Sequence, residues 1–173
     1  MNLRGTLTWG MRLGLLAGGL LLAAGCSTPP KVARPDPELE REAALARGAL
    51  TSGSAEKAAG YYRRALDRAR RMDQPAASGR NAYNLAACLV ILNRDLEAQL
   101  LLDEAELEFQ RAGLSADEIN LLRARLARRA GQNAEALALA QAELKQLRPG
   151  DKFFIQHQVL QADAFCALGA ASK

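Results

Sequence analysis

From Asp36 onward this chain is punctuated by helix starts and helix stops at short, regular intervals, and no stretch of it alternates with the period of a strand. That punctuation restricts the chain to an all-α fold. Asp36-Pro37-Glu38 sets an N-cap acid, a first-turn proline and a second acid in sequence, and Ser115-Ala116-Asp117-Glu118 reads as a capping box. Asp151, after Pro149-Gly150, is placed to cap a last helix. Stops are expected at Gly53, Asn93, Gly113, Gly131 and Gly169, types that tolerate the left-handed conformation just past a helix. The pattern predicts seven helices, near residues 37–52, 55–72, 75–92, 95–112, 116–130, 133–147 and 152–168. Their connectors are short, so each helix folds back antiparallel on its predecessor, as in a helical solenoid or a bundle.

Internal repetition favours the solenoid. Gly53-Ser54-Ala55-Glu56-Lys57-Ala58-Ala59-Gly60-Tyr61-Tyr62-Arg63-Arg64-Ala65-Leu66 resembles the turn and second helix of a tetratricopeptide repeat. In that resemblance Ala58 lets two helices approach, Tyr62 fills the space beside them, and Ala65 admits the next repeat. Asn93-Arg94-Asp95-Leu96-Glu97-Ala98 with Leu102 and Ala105 follows the same pattern, as does Gly131-Gln132-Asn133-Ala134-Glu135-Ala136 with Ala140 and Leu144. The anchors Ala58, Ala98 and Ala136 advance by 40 and then 38 positions. The family's usual period is about 34, so these helices should run roughly a turn longer. Ala46, Ala86, Ala124 and Ala162 stand where the family wants Gly or Ala, but the Trp is missing and the terminal Pro is displaced to Pro75 and Pro149. The resemblance implies a right-handed α-solenoid of about three degenerate hairpins with a capping helix at 152–168. The competing reading is a non-repeating, alanine-rich bundle.

The N-terminus reads differently. Arg4 and Arg12 precede an apolar run, Leu13 to Ala24, that has the length of a secretory h-region and falls short of the roughly 20 residues needed to cross a bilayer. Ala23-Ala24-Gly25-Cys26 resembles a lipobox, although Ala23 stands where Leu is commonest. The resemblance implies cleavage before Cys26, lipidation of its thiol and, with Ser27 next, an outer-membrane, periplasm-facing position in a diderm cell. Ordinary signal-peptidase cleavage after Gly25 is the alternative. Acyl chains would hold the chain stably, since each buried CH₂ is worth about 0.8 kcal/mol. Prolines 29, 30 and 35 make the following segment a tether. The expected division is therefore a signal at 1–25, a lipidated tether at 26–36 and a helical repeat domain at 37–173.

Charge and chemistry exclude several functions. Lys and Arg number 23 against 19 acids, and the two in the leader reduce the excess further, which argues against a nucleic-acid footprint. His157 is the one histidine and has no Cys or carboxylate at a helical spacing that would suggest a metal site. No phosphate loop, nucleophile elbow or paired-Cys motif occurs, so no enzyme activity, cofactor or metal is expected. Cys88 and Cys166 lie in apolar helical patterns and read as small buried hydrophobes, with a disulfide between them as the other reading. Basic runs at Arg63, Arg64, Arg68, Arg70, Arg71 and at Arg123, Arg125, Arg128, Arg129 flank an acidic one at Asp103, Glu104, Glu106, Glu108. They read either as inter-helix pairing or as a patch for an anionic partner.

The expected function is a membrane-anchored adaptor that holds an extended peptide or helix of an envelope protein. It is similar to the lipoproteins of pilus and barrel assembly. The alternative is an accessory that recruits a cell-wall or polysaccharide enzyme. Direct glycan binding is disfavoured, because aromatics are 5% of the chain and the sole Trp, Trp9, lies in the leader. Anchoring the family's concave positions on Ala46, Ala86 and Ala124 gives a groove of Arg47 and Leu50, then Arg80, Tyr83, Asn84 and Val90, then Leu121, Arg125 and Arg128. Asn84 coincides with one asparagine of the family's carboxylate clamp, but Ala43 and Arg47 replace two other members. The groove is thus expected to prefer anionic segments without specificity for a C-terminal carboxylate, unless its arginines pair with Glu40, Glu118 and Asp163.

Overall fold

The computed structural model describes residues 36–150 and 154–171, and their regular structure is entirely helical. The helices are α1 (Pro37–Thr51), α2 (Ala55–Arg71), α3 (Pro75–Ile91), α4 (Asp95–Arg111), α5 (Asp117–Arg129), α6 (Asn133–Leu144) and α7 (Phe154–Ala171). Cys26, the leader, the tether up to Pro35 and the expected cap Asp151 lie outside the described residues, as does the side chain of His157. Asp36 caps α1 as its sequence suggests, its side chain accepting from the Leu39 amide at 2.8 Å with Pro37 at the first helical position.

One joint is used five times. At the ends of α1 to α5 a left-handed residue follows the helix: Gly53, Asp73, Asn93, Gly113 and Gly131, with φ of 78°, 48°, 59°, 66° and 78°. Each donates its amide to the carbonyl three residues back, and the next residue donates to the carbonyl five back, as in Ser54 to Ala49 at 2.8 Å and Arg94 to Leu89 at 2.9 Å. This is the Schellman arrangement, which satisfies carbonyls that a helix end would otherwise orphan. The left-handed residues fall 20 apart from Gly53 to Gly113 and then 18 apart to Gly131. Asp73 is the one stop the sequence did not advertise, because Asp is not the usual residue there. Gly169, by contrast, ends nothing and lies inside α7. A helix-interior glycine costs only about 1 kcal/mol relative to alanine, and Ala170 and Ala171 continue the helix.

Alanine sets the packing. Ala46, Ala58, Ala82, Ala86, Ala98 and Ala105 are fully buried in one core with Tyr62, Leu66, Leu85, Leu89 and Leu102. The three repeat anchors are all buried, Ala136 in a smaller cluster with Ala127 and Ala164. Gly79 of α3 lies against α4, where a Cβ would stand 2.7 Å from the Phe109 ring. Every substantial packing partner of a helix is its next or next-but-one neighbour. Contact is sparser across α4 and α5, where the connector lengthens to residues 112–116 and α5 offers Ile119, Leu122 and Leu126 to the core. Large side chains hold helix axes apart where alanines let them close. In α7 the expected register fails, for Ala162 is exposed while Leu160 and Ala164 are buried. That helix is apolar around much of its circumference, so periodicity could not choose its inner face.

Ion pairs tie α2 to α4. Glu56 at the start of α2 faces Arg94 at the start of α4 (3.9 Å), Arg70 meets Glu104 (2.5 Å), and Asp73 just past α2 meets Arg111 at the end of α4 (2.7 Å). The two helices therefore run parallel, about one hairpin apart in sequence.

Candidate binding face

The expected groove residues lie on α1, α3 and α5. Ala46 and Ala124 turn fully into the core, which places Arg47 and Arg125, one residue later, in solvent. Tyr83 is half-buried against the main core, beside half-buried Asn84, with Arg80 exposed one turn earlier. Burial pushes the Tyr83 hydroxyl up to about 12, the Glu118 carboxylate adds to the shift and the Arg125 guanidinium opposes it. Tyr83, Glu118 and Arg125 are thus one neighbourhood. Arg47 stands instead beside Tyr62 of α2, whose hydroxyl is raised by burial and partly lowered again by that guanidinium.

Two expected members do not serve. Leu121 is buried with Ala124 and Leu160, because α7 covers that side of α5. Arg128 is occupied by Asp163 of α7, its Nε 2.8 Å from the carboxylate. Arg47, Arg80 and Arg125 remain, and none of them forms an ion pair among the described residues. The acidic run is fully used by comparison: Asp103 and Glu106 hold Arg123 (2.7 and 2.8 Å), Glu104 holds Arg70, and Glu108 holds Arg111 (2.8 Å). Inter-helix pairing therefore accounts for Asp103, Glu104 and Glu106 and for much of the basic runs, while Glu108 pairs within α4. Arg129 adds a bond to the Val90 carbonyl at 3.0 Å and a contact with Asp95 that fasten α5 to the end of α3.

One polar contact escaped the sequence reading. Glu143 is 3% exposed and accepts a hydrogen bond from the Asn120 amide, joining α6 to α5, while its second oxygen is buried without a partner. The signal was there, since Ala136, Ala140 and Glu143 fall on one helical stripe. Cys88 is buried and free, and burial pushes its thiol up to about 11. Cys166 is also free but exposed, so it is neither a core residue nor a partner for Cys88. No group of three His, Cys, Asp or Glu side chains able to hold a metal occurs among the described residues, and no described helix is long and apolar enough to cross a membrane.

No family model, curated protein or solved structure matches this chain.

Proposed function

We propose that this chain is a lipid-anchored adaptor of the bacterial envelope, a right-handed solenoid of tetratricopeptide-like hairpins whose α1/α3/α5 face holds an anionic segment of another protein. The observation that carries the reading is the uneven use of charge. Acids on α4 are consumed by neighbouring arginines, while Arg47 of α1, Arg80 of α3 and Arg125 of α5 form no ion pair among the described residues, Arg80 and Arg125 close to the half-buried Tyr83 and Arg47 beside Tyr62. A guanidinium left without a partner is suited to bidentate capture of a carboxylate, and an aromatic beside it supplies the apolar anchor that such contacts need. The regular 20-residue joints and consecutive packing support the repeat reading, and the residues before Cys26 support the anchor. No catalytic residue, cofactor or metal enters this reading.

The test is binding of labelled acidic peptides by fluorescence anisotropy. Acidic sequences with one or two apolar residues should bind, their charge-reversed counterparts should not, and affinity should fall as salt rises. Arg80→Ala with Arg125→Ala should abolish binding at unchanged melting temperature. Full binding by the double variant would move the site off this face. Palmitate labelling that survives Cys26→Ser would remove the anchor from the proposal.

A further inference from the structure

The free edge of the first hairpin is a different surface from the binding face. α3 packs on α2 as well as on α4, whereas no described helix precedes α1. The repeat register shows what this leaves open. Forty residues on, the positions of Arg41, Leu45, Gly48 and Ala49 are held by Asn81, Leu85, Cys88 and Leu89, all of them buried. On α1 only the leucine is kept, and a cation and two small residues fill the other places. Such an edge ends the stack and does not take another hairpin.

Between α1 and α2 this edge is an open groove of about 470 Å³. Its floor is apolar, formed by Ala44, Leu45, Ala49 and the Tyr61 ring, and Gly48 leaves open space above it. Its charged lining has one sign. Arg41 and Lys57 line it, neither forms an ion pair among the described residues, and no acid joins them. Arg64 stands over the Tyr61 ring at 4.6 Å as a third cation, held on its other side by Glu42 at 3.0 Å. Two other clefts along α2 mix acids with their arginines, Glu97 and Glu104 in one and Glu38 and Glu42 in the other. A cap that had only to stay solvated could use either sign. Cations around an apolar floor, with a tyrosine that has an apolar body and a polar tip, instead match the interface of an anionic bilayer.

We infer that this edge of the first hairpin docks on the anionic phospholipid surface of the membrane that carries the anchor. The inference rests on the lipid anchor proposed above. Nine residues separate Cys26 from Asp36, a span of at most roughly 35 Å. Of the helices, α1 is the one this span must bring to the bilayer, and Arg41 lies little more than one turn along it. At that range basic side chains are drawn to anionic lipid. The experiment places the chain, purified from membranes with its anchor, on vesicles of phosphatidylcholine alone or mixed with phosphatidylglycerol. An environment-sensitive fluorophore is attached at Ser52→Cys, on the groove, in a Cys166→Ser background. Its emission should shift to the blue on the phosphatidylglycerol vesicles alone, and a fluorophore on Cys166 of the parent should shift on neither. Arg41→Glu with Lys57→Glu should cut the shift roughly ten-fold. Both side chains are exposed, so the far-UV circular dichroism melt should match the parent's. An equal shift on both vesicles, a shift that survives the double reversal, or one produced by acidic peptides and not by vesicles would each overturn the proposal. Flotation separates the edge from the anchor. A chain that floats only with phosphatidylglycerol has the docking edge without the anchor. One that floats with both and shows no shift has the anchor alone, and one that floats with neither has neither, which in both cases overturns the proposal.

Discussion

Replacing Gly79 with alanine should destabilise the protein even though it improves the helix. Alanine in place of glycine inside α3 is worth about 0.8–1.0 kcal/mol in helix propensity. The added methyl, however, would lie 2.7 Å from Cδ1 and 2.8 Å from Cε1 of Phe109, a ring that is itself 92% buried. Contacts that short force the ring or one of the two helices aside, and overpacking of this kind costs about 1–3 kcal/mol. The two terms leave a net loss of up to about 2 kcal/mol, or up to several degrees in melting temperature for a domain of this size. The background Phe109→Leu removes the ring, and there Gly79→Ala should change sign and stabilise by up to about 1 kcal/mol. Urea denaturation of the four proteins in the cycle measures both values and the coupling between them. If Gly79→Ala stabilises in the parent as much as in Phe109→Leu, the close approach of α3 and α4 does not depend on this glycine, and the reasoning fails.

Ala58 is fully buried where α2 meets its neighbours, so Ala58→Leu should cost about 1–3 kcal/mol in urea denaturation. Asp36 is held at about 2, below the ordinary 3.8, chiefly by its hydrogen bond from Arg68. A depressed carboxyl stabilises the fold above its unfolded pKa and loses that contribution as pH falls through the folded value. The stability difference between the parent and Asp36→Asn should therefore be full near neutrality, shrink from about pH 4 and vanish below about pH 2. Thiol labelling at pH 8 should modify Cys166 in the native protein and reach Cys88 only after unfolding, as peptide masses would show.

Helix number and the boundaries of α1 to α5 were legible because this chain punctuates with glycine, asparagine and proline, whose backbone restrictions act locally, whereas α6 ends three residues before the expected 147 and α7 runs through Gly169. Buried alanines were legible too, since Ala58, Ala98 and Ala136 repeat in register. Where several faces of one helix are apolar, the sequence could not say which face turns inward. That is why Ala162 and Cys166 of α7 read as inward-facing in the sequence and are exposed in the fold. Repeat register alone puts Leu121 and Arg128 in the groove, because their fate depends on α7, a neighbour more than 30 residues away. That Arg80 forms no ion pair among the described residues could be seen only once the carboxylates had chosen their arginines.

The recurrence of one joint makes hairpin number an adjustable quantity. The turns at Gly53 and Asn93 share the same hydrogen-bond pattern and stand 40 residues apart. A tandem copy of residues 54–93 spliced after Asn93 would therefore meet at each seam the geometry it already has, with no new loop to invent. Gene duplication could lengthen or shorten this array by whole hairpins while leaving every remaining turn intact, and an engineer could do the same.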